Sequence, residues 1–146
     1  MSTNNHTIHI RPARIEDAAA IGQLASALAQ SYEFSSARFG VAYPQLVAAD
    51  DALLLIAADE TDPIGYLLAL RHLTFYANGP VATVEEILVR PDRRGGGIGR
   101  LLMAACEAWA SDHDCALVSL ATRRAAPFYR AIGYRESAVY LRKELR

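Results

Sequence analysis

Hydrophobic and polar positions change period several times along the chain, and each change marks an expected element. Thr7-Ile8-His9-Ile10-Arg11 alternates like a half-buried strand and stops at Pro12. From about Glu16 to Gln30 the period lengthens. Ile21, Leu24 and Leu28 fall on one helical face, with acids at the start, where the helix dipole favours them. The stretch from Ser35 to about Asp50 is less regular, and its Phe39, Val41, Tyr43, Leu46 and Val47 predict a helix in its later half. Leu53–Ala58 reads as a strand, Asp59–Pro63 as a turn and Ile64–Thr74 as a long strand. Ala77-Asn78-Gly79-Pro80 turns the chain again, Asn-Gly supplying positive φ, and Val81–Val89 returns as a strand. These three strands predict an antiparallel meander.

The second half changes character. A helix over about Arg100–Ser111 places Leu102, Ala105, Cys106 and Trp109 on one face. Ala116–Ala121 is a short buried strand, and Ala125–Ala131 a helix closed by Gly133. Val139–Leu145 alternates as a last strand. A strand–helix–strand unit over residues 81–121 needs a crossover, so the sheet is expected to be mixed.

Composition narrows the class. The 146 residues carry 15 Lys+Arg and 16 Asp+Glu, a near balance that removes the basic excess expected of a nucleic-acid binder. Charge at 21% and a 52% hydrophobic content exclude extended disorder, although 27 of the apolar residues are alanine. The length fits one domain, expected to span residues 1–146. The first residues are polar, without the apolar core of a secretory signal. No apolar run approaches the roughly 18–20 residues that cross a bilayer. Cys106 and Cys115 lack metal-ligand spacing and read as free thiols, and the four histidines are scattered. The expectation is a cytoplasmic protein with no metal, no membrane partner and no nucleic-acid partner.

The strongest chemical signal is Val89-Arg90-Pro91-Asp92-Arg93-Arg94-Gly95-Gly96-Gly97-Ile98-Gly99-Arg100. Glycines between a strand and a helix expose successive backbone N–H groups, and the helix N-terminus adds positive potential, which together suit phosphate. A P-loop is ruled out because Gly99 is followed by Arg100-Leu101 instead of Lys-Ser/Thr. A dinucleotide fingerprint fails too, since its third glycine position falls on Arg100 or Leu102.

What fits is Arg94-x-x-Gly97-x-Gly99 directly after Val89-x-Pro91, which resembles the acetyl-CoA pyrophosphate loop of the GNAT N-acetyltransferase superfamily. The run from Ala125-Ala126-Pro127-Phe128-Tyr129 to Gly133-Tyr134 resembles the family's second signature, and Ile10-Arg11-Pro12-Ala13 with Glu16-Asp17 resembles its N-terminus. The element order agrees from end to end. One departure is Thr122, where many members carry Asn.

The resemblance implies an α+β fold with a mixed, mostly antiparallel sheet of six to seven strands and about four helices. It implies acetyl-CoA as cosubstrate, held by Arg94, Gly95, Gly96, Gly97, Ile98, Gly99 and Arg100, with Thr122 alongside. It also implies a bulged strand at Ile87-Leu88-Val89, where a backbone N–H at Leu88 or a neighbour would meet the acetyl oxygen. Arg90 and Arg93 read equally as phosphate ligands or as a solvated turn. Glu85 or Glu86 is the expected base, with Glu85 favoured by family position, and Tyr129 the expected acid. Adjacent strand residues face opposite ways, so one of the two glutamates should face the cleft.

The stretch Ser31–Phe39, with Tyr32, Glu33 and Phe34, lies where this family builds its acceptor pocket and suggests a small cationic amine. A peptide N-terminus, a protein lysine or an aminoglycoside stands behind that choice. A non-catalytic acyl-CoA-binding module is the rival from another class, and a homodimer is the common outcome in the family.

Overall fold

In the computed structural model, residues 7–29 and 32–146 are described. Gln30, the expected end of the first helix, and Ser31 of the acceptor stretch lie outside them. Five strands form one sheet in the order β1 (Ile8–Pro12), β2 (Ala52–Asp59), β3 (Asp62–Thr74), β4 (Gly79–Val89) and β5 (Val118–Leu120). The first four pair antiparallel and β5 runs parallel to β4. The crossover between β4 and β5 is α3 (Ile98–Asp112), so the expected meander and mixed sheet are both present.

The sheet is buried on both faces, which explains the near-continuous apolar runs in β2 and β3. Leu53, Leu55 and Ala57 point to the layer of α3 and α4 (Ala126–Ala131), where Leu102, Met103 and Cys106 are fully buried. Leu54 and Ile56 point the other way, towards α1 (Ala18–Leu28) and α2 (Ser36–Ala48). A short 3-10 turn, Ile15–Asp17, leads into α1. Asp17 binds the Arg11 guanidinium through two bonds of 2.7 and 2.9 Å and accepts the Arg14 N–H at 2.7 Å. The Tyr43 hydroxyl donates to the Arg14 carbonyl at 2.6 Å, which ties α2 to the same corner.

Two expectations are corrected. Helix α2 fills the whole of Ser36–Ala48 instead of its later half. It starts where Ser35 accepts the Arg38 N–H at 3.2 Å, so a cap launches a turn that has no apolar periodicity of its own. The sheet has five strands among the described residues, not six to seven, alongside the four helices expected. The missing strand is Val139–Leu145. A strand needs a neighbour for its N–H and C=O groups, and these residues pair with none of those described. Val139, Tyr140, Leu141 and Leu145 are 72–91% exposed. No helix among the described residues is long and apolar enough to cross a membrane.

β3 and β4 approach closely at Gly65, where a Cβ would sit 2.6 Å from the Leu88 carbonyl oxygen. Gly65→Ala should therefore force the two strands apart and cost about 1–3 kcal/mol. The expected result is a lower urea midpoint at unchanged slope; wild-type stability would show that the contact yields freely.

Candidate functional site

The site begins with a mismatch in pairing. β4 pairs with β5 only from Ala82↔Val118 to Val84↔Leu120. Against β3, Leu68 faces Glu86 while the next residue, Ala69, faces Val84, so Glu85 is an extra residue bulged out of the ladder. Beyond the bulge, Glu86–Val89 remain paired to β3 and have no strand on their other edge among the described residues. The Arg90 N–H donates to the Ile64 carbonyl at 2.7 Å. In an antiparallel ladder the direction alternates, so the Leu88 N–H points at β3, while those of Ile87 and Val89 point to the open edge. Of the three candidates for meeting an acyl oxygen, Ile87 and Val89 have the required direction.

The side chains divide as well. Leu88 belongs to the apolar layer under α1 and α2, and Glu86 lines a cavity on that side. Glu86 is half-buried there and Glu85, at the bulge, is exposed. The cavity, about 310 Å³, lies between α1, α2 and the sheet and is bordered by Tyr32, Glu33, Phe34 and Phe39 of the stretch expected to form the acceptor pocket. Tyr66, on β3, is a residue the sequence did not single out. Its hydroxyl donates to Glu86 Oε1 at 2.8 Å. Burial first, and then the carboxylate, pushes its phenol up, so it stays a donor.

The glycine loop follows β4 through a short 3-10 turn, Pro91–Arg93. Gly95 and Gly97 take φ of +82° and +83°, the left-handed region that glycine enters without strain. Gly97 caps α3 with no side-chain acceptor, which leaves the first-turn N–H groups open to an anion. Ile98, 3% exposed, pins that helix start into the core. Gly99 is small for another reason, since a Cβ there would meet the Phe128 ring at 3.3 Å.

The arginines sort by partner. Arg90 is engaged by Asp92 at 2.7 Å and Asp62 at 3.1 Å, and Arg93 by the buried Asp59 at 2.8 Å. These two brace the loop against the β2–β3 turn. Arg94 Nε donates to the Val89 carbonyl at 3.2 Å, fastening the loop to the end of β4. Exposed Arg100, in the first turn of α3, pairs with no carboxylate among the described residues and is the guanidinium best placed for phosphate.

Across the gap, α4 carries Tyr129, which is 7% exposed and packs edge-on against Phe128 and Tyr134. Burial pushes its phenol up, and its hydroxyl bonds to no described residue. Tyr129 lies in the α3 and α4 layer and Glu86 faces the α1 and α2 side, so the expected acid and the glutamate are on opposite faces of the sheet. Thr122 serves its own turn, its hydroxyl accepting the Ala125 N–H at 3.1 Å just before α4.

The loop therefore fits the pyrophosphate of CoA by its backbone, and the glycines can be separated experimentally. Gly97→Ala forces a Cβ into the left-handed region, at a cost of roughly 1–2 kcal/mol, and should weaken acetyl-CoA binding about tenfold. Gly96, with ordinary φ and a Cβ position 3.5 Å from the Arg93 carbonyl, should accept alanine with little change. Titration calorimetry on both variants reads the difference, and equal losses would rule out this division.

The sequence matches the Acetyltransferase (GNAT) family over residues 21–134. It is 34% identical over 111 residues to the aminoglycoside N(6')-acetyltransferase type 1 of Stenotrophomonas maltophilia, covering 68% of this chain and 71% of that one. The enzyme of the same description from Acinetobacter genomosp. 13 is 31% identical, with 69% and 76% covered. Among solved structures, an aminoglycoside N-acetyltransferase in complex with CoA superposes with a TM-score of 0.84 at 21% identity, covering 98% of this chain and 99% of that one. The chain belongs to the GNAT family of acetyltransferases.

Proposed function

We propose that the protein, acting as a single catalytic domain, moves the acetyl group of acetyl-CoA to the primary amine of a small molecule that is cationic in solution, by direct attack with both substrates bound. One observation carries this reading. The strand that ends in the anion-binding loop also presents, three residues before Val89, a carboxylate facing a cavity that opens to solvent. Donor and acceptor sites thus meet along one strand, beside the gap where β5 has parted from it.

Acetyl-CoA supplies the acyl group already activated as a thioester. The chain has to hold it, seat the amine, remove a proton and return one. Loop N–H groups from Gly95 to Arg100 and the Arg100 guanidinium hold the phosphates. The outward N–H groups of Ile87 and Val89 are the donors for an acyl oxygen at the open edge. An alkyl ammonium with a pKa near 10 costs about 4 kcal/mol to deprotonate at pH 7. Glu86 seats this ammonium in the cavity. A water bridging the amine and Glu85, which lies exposed at the bulge outside the cavity lining, carries the proton to that carboxylate, from which it passes to solvent. Tyr129, kept protonated by burial, donates to the departing thiolate.

The names of the two relatives favour a second reading of the acceptor, an aminoglycoside. A homodimer also belongs to the proposal, because the exposed apolar side chains of Val139, Tyr140 and Leu141 suit a second copy of the chain.

Release of free CoA thiol from acetyl-CoA across a panel of amines tests the activity, and tight acetyl-CoA binding without turnover on any amine would favour the binding-module reading. Tyr129→Phe should lower kcat about a hundredfold, with the KM for acetyl-CoA nearly unchanged; unaltered turnover would remove the acid assignment. Glu85→Gln should act mainly on kcat and Glu86→Gln mainly on the acceptor KM, and the opposite split would exchange their roles.

A further inference from the structure

The cavity that holds Glu86 has a chemical character of its own. Ile21 of α1, Phe39 and Leu46 of α2, and Leu54 and Leu68 of the sheet line it with carbon, and Phe34 packs against Phe39 at a tilt of 48° with ring centres 5.6 Å apart. Glu33 and Arg38, both exposed, bring charge to its border. Among the described residues, Glu86 is the one half-buried charge that lines it.

That carboxylate is not free to swing. Its Oε1 accepts the Tyr66 hydroxyl at 2.8 Å, and Tyr66 is 2% exposed, sealed in the layer that contains Leu54, Ile56 and Leu68. The bulge brings the two together. With Glu85 looped out, Glu86 pairs with Leu68 and Leu88 pairs with Tyr66, so the Tyr66 and Glu86 side chains lie diagonally on one face of the sheet. Oε2 bonds to no described residue.

Such a site has a restricted taste. A single ammonium gains a charge-assisted hydrogen bond to Glu86. The rest of the molecule meets carbon along the floor, where each hydroxyl or further ammonium loses water without replacement, while the exposed Glu33 and Arg38 charges offset each other at the border.

We propose that this cavity is an acceptor subsite for a monoamine carried on an apolar, aromatic-sized body, and that Tyr66 is a positioning residue which fixes the Glu86 carboxylate against the ammonium. The assignment rests on the proposed acetyltransferase reading for its place in catalysis, but the selectivity it predicts is a property of binding alone.

The test uses the full chain and three probes: 2-phenylethylamine, its uncharged counterpart 2-phenylethanol, and an aminoglycoside. Calorimetry should show the amine binding at least tenfold tighter than the alcohol, and Glu86→Gln should erase that difference. Thiol release should show kcat/KM at least tenfold higher for 2-phenylethylamine than for the aminoglycoside. Tyr66→Phe keeps the ring and removes only the hydroxyl. It should lower kcat/KM for the amine about tenfold, through KM, yet change it less than twofold in the Glu86→Gln background.

A purely structural Tyr66 would cause the same loss in both backgrounds, which overturns the positioning role. An aminoglycoside bound and turned over as well as the amine overturns the subsite, as does amine-over-alcohol preference that survives Glu86→Gln. Selective binding with no turnover on any amine would uphold the subsite while defeating the acetyltransferase reading. Turnover indifferent to both substitutions would do the reverse.

Discussion

Strand β4 keeps its pairing with β3 on both sides of one additional residue, Glu85, and pairs with the short β5 only as far as Val84, the residue before that bulge. Beyond the bulge the backbone N–H groups of Ile87 and Val89 lie at an open edge. The bulge also sets which way the acidic pair points. With Glu85 set aside, Glu86 takes the register position opposite Leu68 and joins the face that carries Tyr66. The open edge and the half-buried carboxylate thus lie next to a single inserted residue.

The anion loop depends on the same strand for its position. Its hold on the end of β4 runs through Arg94 to the Val89 carbonyl, and its bracing to the β2–β3 turn runs through Arg90 and Arg93. Arginines that look interchangeable along the sequence therefore do different work, two of them neutralised by Asp59, Asp62 and Asp92. The positive field left for phosphate comes from the start of α3, its open amides and Arg100. Raised ionic strength screens exposed charges such as Arg100 more than the half-buried Arg93–Asp59 pair.

The parts of this site that rest on local backbone chemistry were legible in the sequence. Glycines at Gly95 and Gly97 announce positive φ, and the i, i+3, i+4, i+7 stripe announces α3. The parts that depend on register were not. The family resemblance implied a bulge in this strand, but its position at Glu85, and with it which of the two glutamates faces the cavity, becomes visible only once the pairing with β3 is known. Tyr66 had no distinguishing neighbourhood along Ile64–Thr74; its partner lies twenty residues away and becomes visible once the pairing is known. Val139–Leu145 shows the converse error, since alternation describes a surface that could pair and says nothing about whether a neighbour is present. Helix α2 was half missed because its first turn depends on the Ser35 cap and not on an apolar stripe.

The burial of the sheet on both faces has a consequence for how such a protein can change. The glycine loop and Tyr129 lie with α3 and α4, the cavity beside Glu86 lies with α1 and α2, and the sheet separates the two layers. Replacing Phe39 or Leu46 would reshape the acceptor cavity without disturbing Ile98 or Gly97 on the far side. Under the proposed assignment, new amine preferences are accessible by rebuilding one outer layer while the glycine loop on the other is inherited unchanged.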